Sequence, residues 1–222
     1  MKLKFLLFCA AVLGPVVVNA QTIASEFTLG PEGWKVRDYV TGQGGITAGW
    51  YAGALQTTDV RDHTVFSAPG PLFTGSKLAF YGGSVTFDLY SSYLSANTAG
   101  SFALAIGSGN TMLHWYAGQP SNVDFQTFTA VLNPQAGGWE IGGGPNGGGS
   151  VPTVAQFKAV LANVTHIYVN ADWNDGEDYV QMDRFAISAV PELPVHALLM
   201  AGLALMLWRR QAARRGHPRR SI

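Results

Sequence analysis

Hydrophobic and polar residues alternate strictly along SVTFDLY (residues 84–90). Val85, Phe87 and Leu89 fall on one face of an extended strand, and Ser84, Thr86 and Asp88 on the other. SFALAIG (101–107) repeats the pattern, with Phe102, Leu104 and Ile106 set against small residues. DFQTFTAVL (124–132), HIYVNA (166–171) and VQMDRFAIS (180–188) are further β-branched or aromatic runs of strand length. Such runs, punctuated by glycine and proline, predict an all-β fold, a jelly-roll β-sandwich rather than a βαβ architecture. One segment departs from the period of two. In TVAQFKAVLANV (153–164), Phe157, Val160, Leu161 and Val164 form a single helical stripe. Thr153 and Gln156 have the spacing of a capping box, so one short helix is expected. The glycine run GGWEIGGGPNGGGSVP (137–152) reads as a mobile loop, because no Gly-Lys-Ser/Thr follows and no basic residue is near.

Two segments lie outside this pattern. The N-terminus, MKLKFLLFCAAVLGPVVVNA, places Lys2 and Lys4 before an apolar stretch and ends on small residues. It reads as a secretory signal peptide over 1–20, cut between Ala20 and Gln21. Cys9, the only cysteine of the chain, lies inside it, so the exported remainder has no disulfide. At the other end, Pro194–Trp208 is apolar apart from His196 and is followed by Arg209, Arg210, Arg214 and Arg215. As a helix it is roughly 22 Å long, short of the roughly 30 Å of a bilayer core. Arginines just beyond such a run hold that end on the cytoplasmic side and snorkel to extend its reach. The expectation is a C-terminal single transmembrane helix, with the body outside the membrane and a basic tail inside.

These termini also disguise the charge. The whole chain has a net charge of zero, yet residues 21–190 hold six basic side chains against thirteen acidic ones, a net of −7. An acidic body excludes a nucleic-acid partner, which requires clustered Lys and Arg. Catalytic signatures are missing as well. His63, His114 and His166 stand in separate segments, and no nucleophile elbow or paired-Cys motif occurs. The richest polar stretch is ADWNDGEDYVQMDR, in which Asp172, Asn174, Asp175, Glu177, Asp178 and, further on, Asp183 offer oxygen ligands of the kind Ca²⁺ takes. The same residues are turn formers, and a solvated turn between two strands is the competing reading. Trp34, Trp50, Tyr51, Trp115, Tyr116, Trp139 and Trp173 are aromatic candidates for stacking on sugars. Trp50 and Tyr51, flanked by Gly49 and Gly53, are the pair expected at the surface.

The block VFSAPGPLFTGSKLAFYGGSVTFDLY (65–90) resembles the centre of laminin IV type A (laminin B) domains. The early PEGW (31–34), the late glycine loop, the helix and the closing VQMDRFAIS agree in order. Where that family ends on a Leu-Asp-Asn-Val-like strand, this chain has Met182-Asp183-Arg184-Phe185. The resemblance covers most of 25–188. It implies a jelly-roll domain of extracellular scaffolds, related in shape to carbohydrate-binding modules that carry structural calcium, and it implies no catalysis. The C-terminal layout resembles the PEP-CTERM sorting signal of Gram-negative bacteria that produce exopolysaccharide. Val190, Pro191 and Glu192 match its motif, with Leu193 standing where the second proline is usual, and the apolar run and arginine cluster follow. That resemblance implies an exosortase as partner, this chain being its substrate. The expected organisation is therefore a signal peptide (1–20), a laminin-B-like domain (21–189), a sorting signal (190–215) and a basic tail (216–222). The expected function is that of an exported, non-enzymatic envelope or matrix protein that binds exopolysaccharide. A secreted carbohydrate-active hydrolase and a structural protein-binding module are the alternatives.

Overall fold

The computed structural model describes residues 20–59, 63–98 and 100–191, with Leu203 and Met206, both helical, beyond them. Most of the signal peptide, Glu192, the bulk of the apolar C-terminal run and the arginines Arg209, Arg210, Arg214 and Arg215 lie outside the described residues. Among the described residues no helix is long and apolar enough to cross a membrane. Gln21–Val190 forms one compact unit.

The strands of this unit are β1 (Thr22–Ser25), β2 (Lys35–Asp38), β3 (Gly44–Thr47), β4 (Gly49–Tyr51), β5 (Ala54–Thr58), β6 (Thr64–Ser67), β7 (Ser84–Ser91), β8 (Leu104–Ser108), β9 (Thr111–Trp115), β10 (Gln126–Val131), β11 (Trp139–Ile141), β12 (His166–Asn170) and β13 (Tyr179–Ser188). They form two antiparallel sheets. The first runs β10-β7-β13-β5-β4, with β1 also pairing to β13; the second runs β11-β9-β8-β12-β6-β2-β3. The chain crosses from one sheet to the other between β1 and β2, β3 and β4, β5 and β6, β6 and β7, β7 and β8, β9 and β10, β10 and β11, and β12 and β13. A two-sheet sandwich with one short helix is thus what the alternating pattern produces. β7 buries Val85, Phe87 and Leu89 and leaves its other residues half-buried, apart from Ser91 at its end. The helix α1 (Val154–Ala162) has both halves of the Thr153–Gln156 capping box and buries Phe157, Val160 and Leu161.

Two expectations need correction. Phe102 does not share a face with Leu104 and Ile106. β8 begins only at Leu104, and Phe102 joins Val65 and Ala105 in a separate cluster on the outer side of the second sheet. The glycine run is not a free loop. It opens with β11, whose Trp139 is buried, and its later part folds back through pairing of Ile141 with Ser150 and of Gly144 with Gly147. The Tyr116 hydroxyl donates to the Gly144 carbonyl, and Phe102 N–H to the Pro145 carbonyl. Glycine is required at Gly143, where φ is +76° and a Cβ would lie 2.5 Å from the Gly149 nitrogen.

Between the sheets runs an aromatic spine. Trp34 meets Phe27, Phe73 and Phe185 edge-on at centroid distances of 5.9, 5.7 and 5.0 Å. Phe185 continues to Phe87, which stacks on Phe128 at 5.3 Å. The Trp34 indole N–H donates to Ser25 Oγ, so its one polar group is satisfied. Phe185 reaches this spine through a β-bulge. The pairing of β13 with β7 slips between Asp183 and Phe185, and Arg184 takes φ +52°. One extra residue reverses the inward parity, so Val180 and Met182 before the bulge and Phe185 and Ile187 after it all face the core. The exposed Arg184 side chain pairs with Asp88 Oδ2 at 2.9 Å. Left-handed backbone at a non-glycine residue costs about 1 kcal/mol, and an exposed ion pair returns about 0.5 kcal/mol. Arg184→Gly is therefore expected to raise stability by about 0.5 kcal/mol in urea unfolding, whereas Trp34→Ala is expected to lower it by about 3–5 kcal/mol. A loss of more than 1 kcal/mol for Arg184→Gly would assign the ion pair a larger role than its exposure permits.

Candidate functional site

Two concave features of the compact unit gather the polar and aromatic residues of interest. The first is a cleft of about 600 Å³ lined by Asp59, His63, Ser101, Asn146, Asp172 and Asp175 together with nearby polar residues. Beneath it Asp178 is 2% exposed. Its Oδ2 accepts the Trp173 N–H at 2.9 Å, and Asp59 approaches from the end of β5. Burial, followed by the charges of Asp178, Asp172 and Glu177, pushes the Asp59 carboxyl up to about 8. Burial also raises Asp178. Asp59 Oδ1 and Asp178 Oδ1 are buried with no hydrogen-bond partner among the described residues, an arrangement that favours a proton on Asp59 over a second charge.

Of the six residues expected to hold a metal, Asp172, Asn174 and Asp175 line this cleft, but the six do not converge on one point. Asp175 Oδ2 is engaged by Ser95 Oγ at 2.7 Å and by Asn97. Asn174 closes a turn toward the Glu177 carbonyl. Asp172 lies 3.9 Å from His63 Nδ1. Asp183 sits in mid-β13 opposite Asp88, on the outer face of the first sheet. Among the described residues no three Asp, Glu, His or Cys side chains converge on a possible cation position, so this donor set does not fit Ca²⁺. Asp59, which does reach the cluster, carries no local signal in the sequence; only pairing of β5 with β13 brings it there.

The second feature is a groove of about 490 Å³ on the outer face of the first sheet, lined by Tyr51, Tyr90, Val123, Asp124, Phe125, Tyr179 and Gln181. Its floor follows from register. Gln181 pairs with Tyr90 on one side and Gln56 on the other, and Tyr179 and Gln181 are alternate residues of β13. The Gln181 side-chain amide donates to the Tyr179 hydroxyl at 2.9 Å, and that hydroxyl donates to Gln56 Oε1. Burial raises the Tyr179 hydroxyl, so the group stays protonated at neutral pH. The wall is the 121–125 turn. Ser121 bridges to Tyr90, and its hydroxyl accepts the N–H groups of Val123 and Asp124 at 3.1 and 3.3 Å. Phe125 lies 6.3 Å from the Tyr90 ring.

Of the pair expected at the surface, only Tyr51, 66% exposed, lines this groove. Trp50 is 40% exposed but pairs with the buried Leu55, and so turns to the inner face of the sheet edge, where its indole N–H donates to the Phe27 carbonyl at 2.6 Å. Neighbouring residues of a strand point to opposite faces, so the two cannot act together. Trp34, Trp139 and Trp173 are buried. Tyr90, Phe125 and Tyr179 were not singled out by sequence, although Tyr90 ends an alternating strand at an outward position. The histidines stay apart: His114 is buried against Tyr39, His166 bonds Thr165, and His63 faces the first cleft. Ala20 is half-buried, and the Gln21 carbonyl accepts the Ala189 N–H at 2.8 Å, tying the start of the compact unit to its end; Val190 and Pro191 are exposed.

The carboxyl pair carries a pH dependence of defined sign. Asp59 binds its proton more tightly in the folded chain (about 8) than at its ordinary value of 3.8. Its stabilising effect is therefore complete below about 4 and is lost as pH rises toward 8. The melting temperature is expected to fall between pH 5 and 9 by this contribution. Asp59→Asn, whose amide donates to Asp178 at every pH, is expected to flatten that slope. An equal slope in both proteins would remove the pair as its source.

Comparison with known proteins follows the sandwich rather than either concavity. The L4b domain of human laminin α2 superposes with a TM-score of 0.63 at 12% identity, over 77% of this chain and 98% of that one. A family 11 carbohydrate-binding module from Clostridium thermocellum, solved with a β-1,3-1,4-mixed-linked tetrasaccharide, gives a TM-score of 0.40 at 17% identity, over 82% and 94%. No curated protein matches by sequence. The model of the laminin B (domain IV) family matches residues 65–192, more than half of the chain. With its two antiparallel sheets and the L4b-like course of its backbone, this chain belongs to the laminin B (domain IV) family.

Proposed function

We propose that the domain is a non-catalytic binding module for extracellular polysaccharide, and that the tyrosine groove of the first sheet is its binding face. The observation that carries this reading is the groove's chemistry. Four aromatic rings, Tyr51, Tyr90, Phe125 and Tyr179, line an open surface interleaved with the Gln181 amide and the Asp124 carboxylate. Pyranose rings present apolar C–H faces and a rim of hydroxyls. Aromatic faces with polar tips beside amides and carboxylates complement both. Floor residues from β7, β13, β5 and β4 span three interstrand steps, roughly 14 Å, which suits an extended chain rather than a single small molecule.

Affinity electrophoresis of the purified chain in gels carrying soluble neutral polysaccharides tests this. Tyr90→Ala and Tyr179→Ala are each expected to weaken retardation by about tenfold or more in Kd, as loss of a central aromatic anchor does. Trp50→Ala is expected to lower stability without changing affinity. Equal affinity of the tyrosine variants and the parent chain would refute the groove. A hydrolase reading has one observation in its favour, a carboxyl held near 8 in the Asp59 cleft beside His63 and Asp172. It requires release of reducing ends that Asp59→Asn abolishes, whereas the binding reading expects none from the same polymers.

Sorting belongs to the same proposal. The order Val190-Pro191-Glu192, apolar run, arginine cluster supports an exported protein held at the membrane by its C-terminal segment and handed to an exosortase for display at the envelope or in the matrix. Mass spectrometry of the surface-associated protein is expected to find a chain beginning at Gln21 and ending near Glu192. Material intact through Ile222 would exclude processing.

A further inference from the structure

We infer that Asp124 makes the tyrosine groove selective for polysaccharides that carry no acidic groups. The inference rests on the polysaccharide reading and narrows it to a ligand class. Asp124 is the one charged residue in the groove lining. Its carboxylate forms no hydrogen bond or ion pair among the described residues, while Ser121 Oγ holds its backbone N–H and so fixes the residue on the wall. On the floor the Gln181 amide donates to Tyr179 and the Tyr179 hydroxyl to Gln56, and the Tyr51 and Tyr90 hydroxyls that complete the lining are neutral donors, so no positive charge faces the wall. A sugar hydroxyl arriving at the wall finds an unsatisfied anionic acceptor. A uronate or sulfate finds a like charge and no cation to offset it.

The rest of the described surface does not supply that cation. Arg184, on the same sheet face, is engaged by Asp88 at 2.9 Å. Lys35 and Arg37 belong to β2 in the second sheet, Lys77 is buried with its ammonium donating to the Thr74 carbonyl, and Lys158 on α1 lies over the Tyr81 ring. The net charge of −7 over residues 21–190 adds a long-range repulsion of the same sign. Like charges brought together across an interface oppose binding strongly, and salt screens the part that passes through solvent.

Matched polymers separate backbone from charge. The test measures retardation of the full chain by hydroxyethylcellulose against carboxymethylcellulose, and by dextran against dextran sulfate, at low and high salt. The neutral member of a bound pair is expected to bind at least about tenfold more tightly at low ionic strength, with the gap narrowing in about 0.5 M salt. Asp124→Asn is expected to close most of that gap. Glu140→Gln, which removes the same charge from β11 in the other sheet, is expected to leave it open. Equal binding of neutral and acidic members by the parent chain overturns the selectivity. So does an equal response of the two variants, which would trace the gap to net charge. If no polymer is retained, the polysaccharide reading itself fails and the inference falls with it.

Discussion

The position of Phe185 constrains everything around it. β13 is the central strand of the first sheet. It pairs with β7 along one edge and with β5 and β1 along the other, so its parity sets which residues of three neighbours face inward. A ten-residue strand with strict alternation would place Val180, Met182 and Arg184 in the core. The bulge at Arg184 replaces that arginine with Phe185 and joins the strand to the Trp34 spine. Burial of one large aromatic is worth about 2–3 kcal/mol, more than the roughly 1 kcal/mol that left-handed backbone costs. The strained conformation is the favourable outcome. The Asp88 contact offsets part of that cost.

The same parity builds the candidate binding face. Because Val180 and Met182 point inward, Tyr179 and Gln181 point outward, into register with Tyr90 and Gln56. The two sheets then meet solvent differently. The outer face of the second sheet carries Tyr39, Phe102, His114 and Tyr116 beneath the folded-back glycine segment, and becomes a second small core. Burial lowers His114 and pushes Tyr39 up to about 12 there. Part of that face is covered by its own chain, and the rest opens as a groove of about 410 Å³ lined by Tyr39, Met112, His166 and Tyr168. The first sheet has no such cover over Tyr90 and Tyr179, and its aromatic residues remain available to a ligand.

The acidic loop shows how a local cluster is redirected by its surroundings. Five of its polar residues fall within seven positions, which favours either a turn or an oxygen-rich cation site. Hydrogen bonds from Ser95, Asn97 and the Trp173 backbone take up the carboxylates of Asp175 and Asp178 one at a time. Asp59 then arrives from β5 and pairs with the most buried of them. Burial and the neighbouring carboxylates raise Asp59 there, so that its charge is disfavoured rather than balanced by a cation.

By itself the sequence determined the strands that alternate cleanly, the capped helix with its buried stripe, the acid balance of the body and the family block around residues 65–90. Each of these is a local property, fixed by side-chain period, capping chemistry or a short motif. Only the tertiary structure decided which aromatics are surface and which are spine. Trp34 stands among the aromatic candidates of the sequence and Tyr90 does not, yet Trp34 is enclosed between the sheets and Tyr90 stands outside them. It also decided the bulge, visible in the sequence only as a slip from even to odd apolar positions between Met182 and Phe185. The groove and the Asp59–Asp178 pair both depend on register between strands distant in the chain. Register is set by the summed packing of the whole sandwich, which no window of neighbouring residues contains.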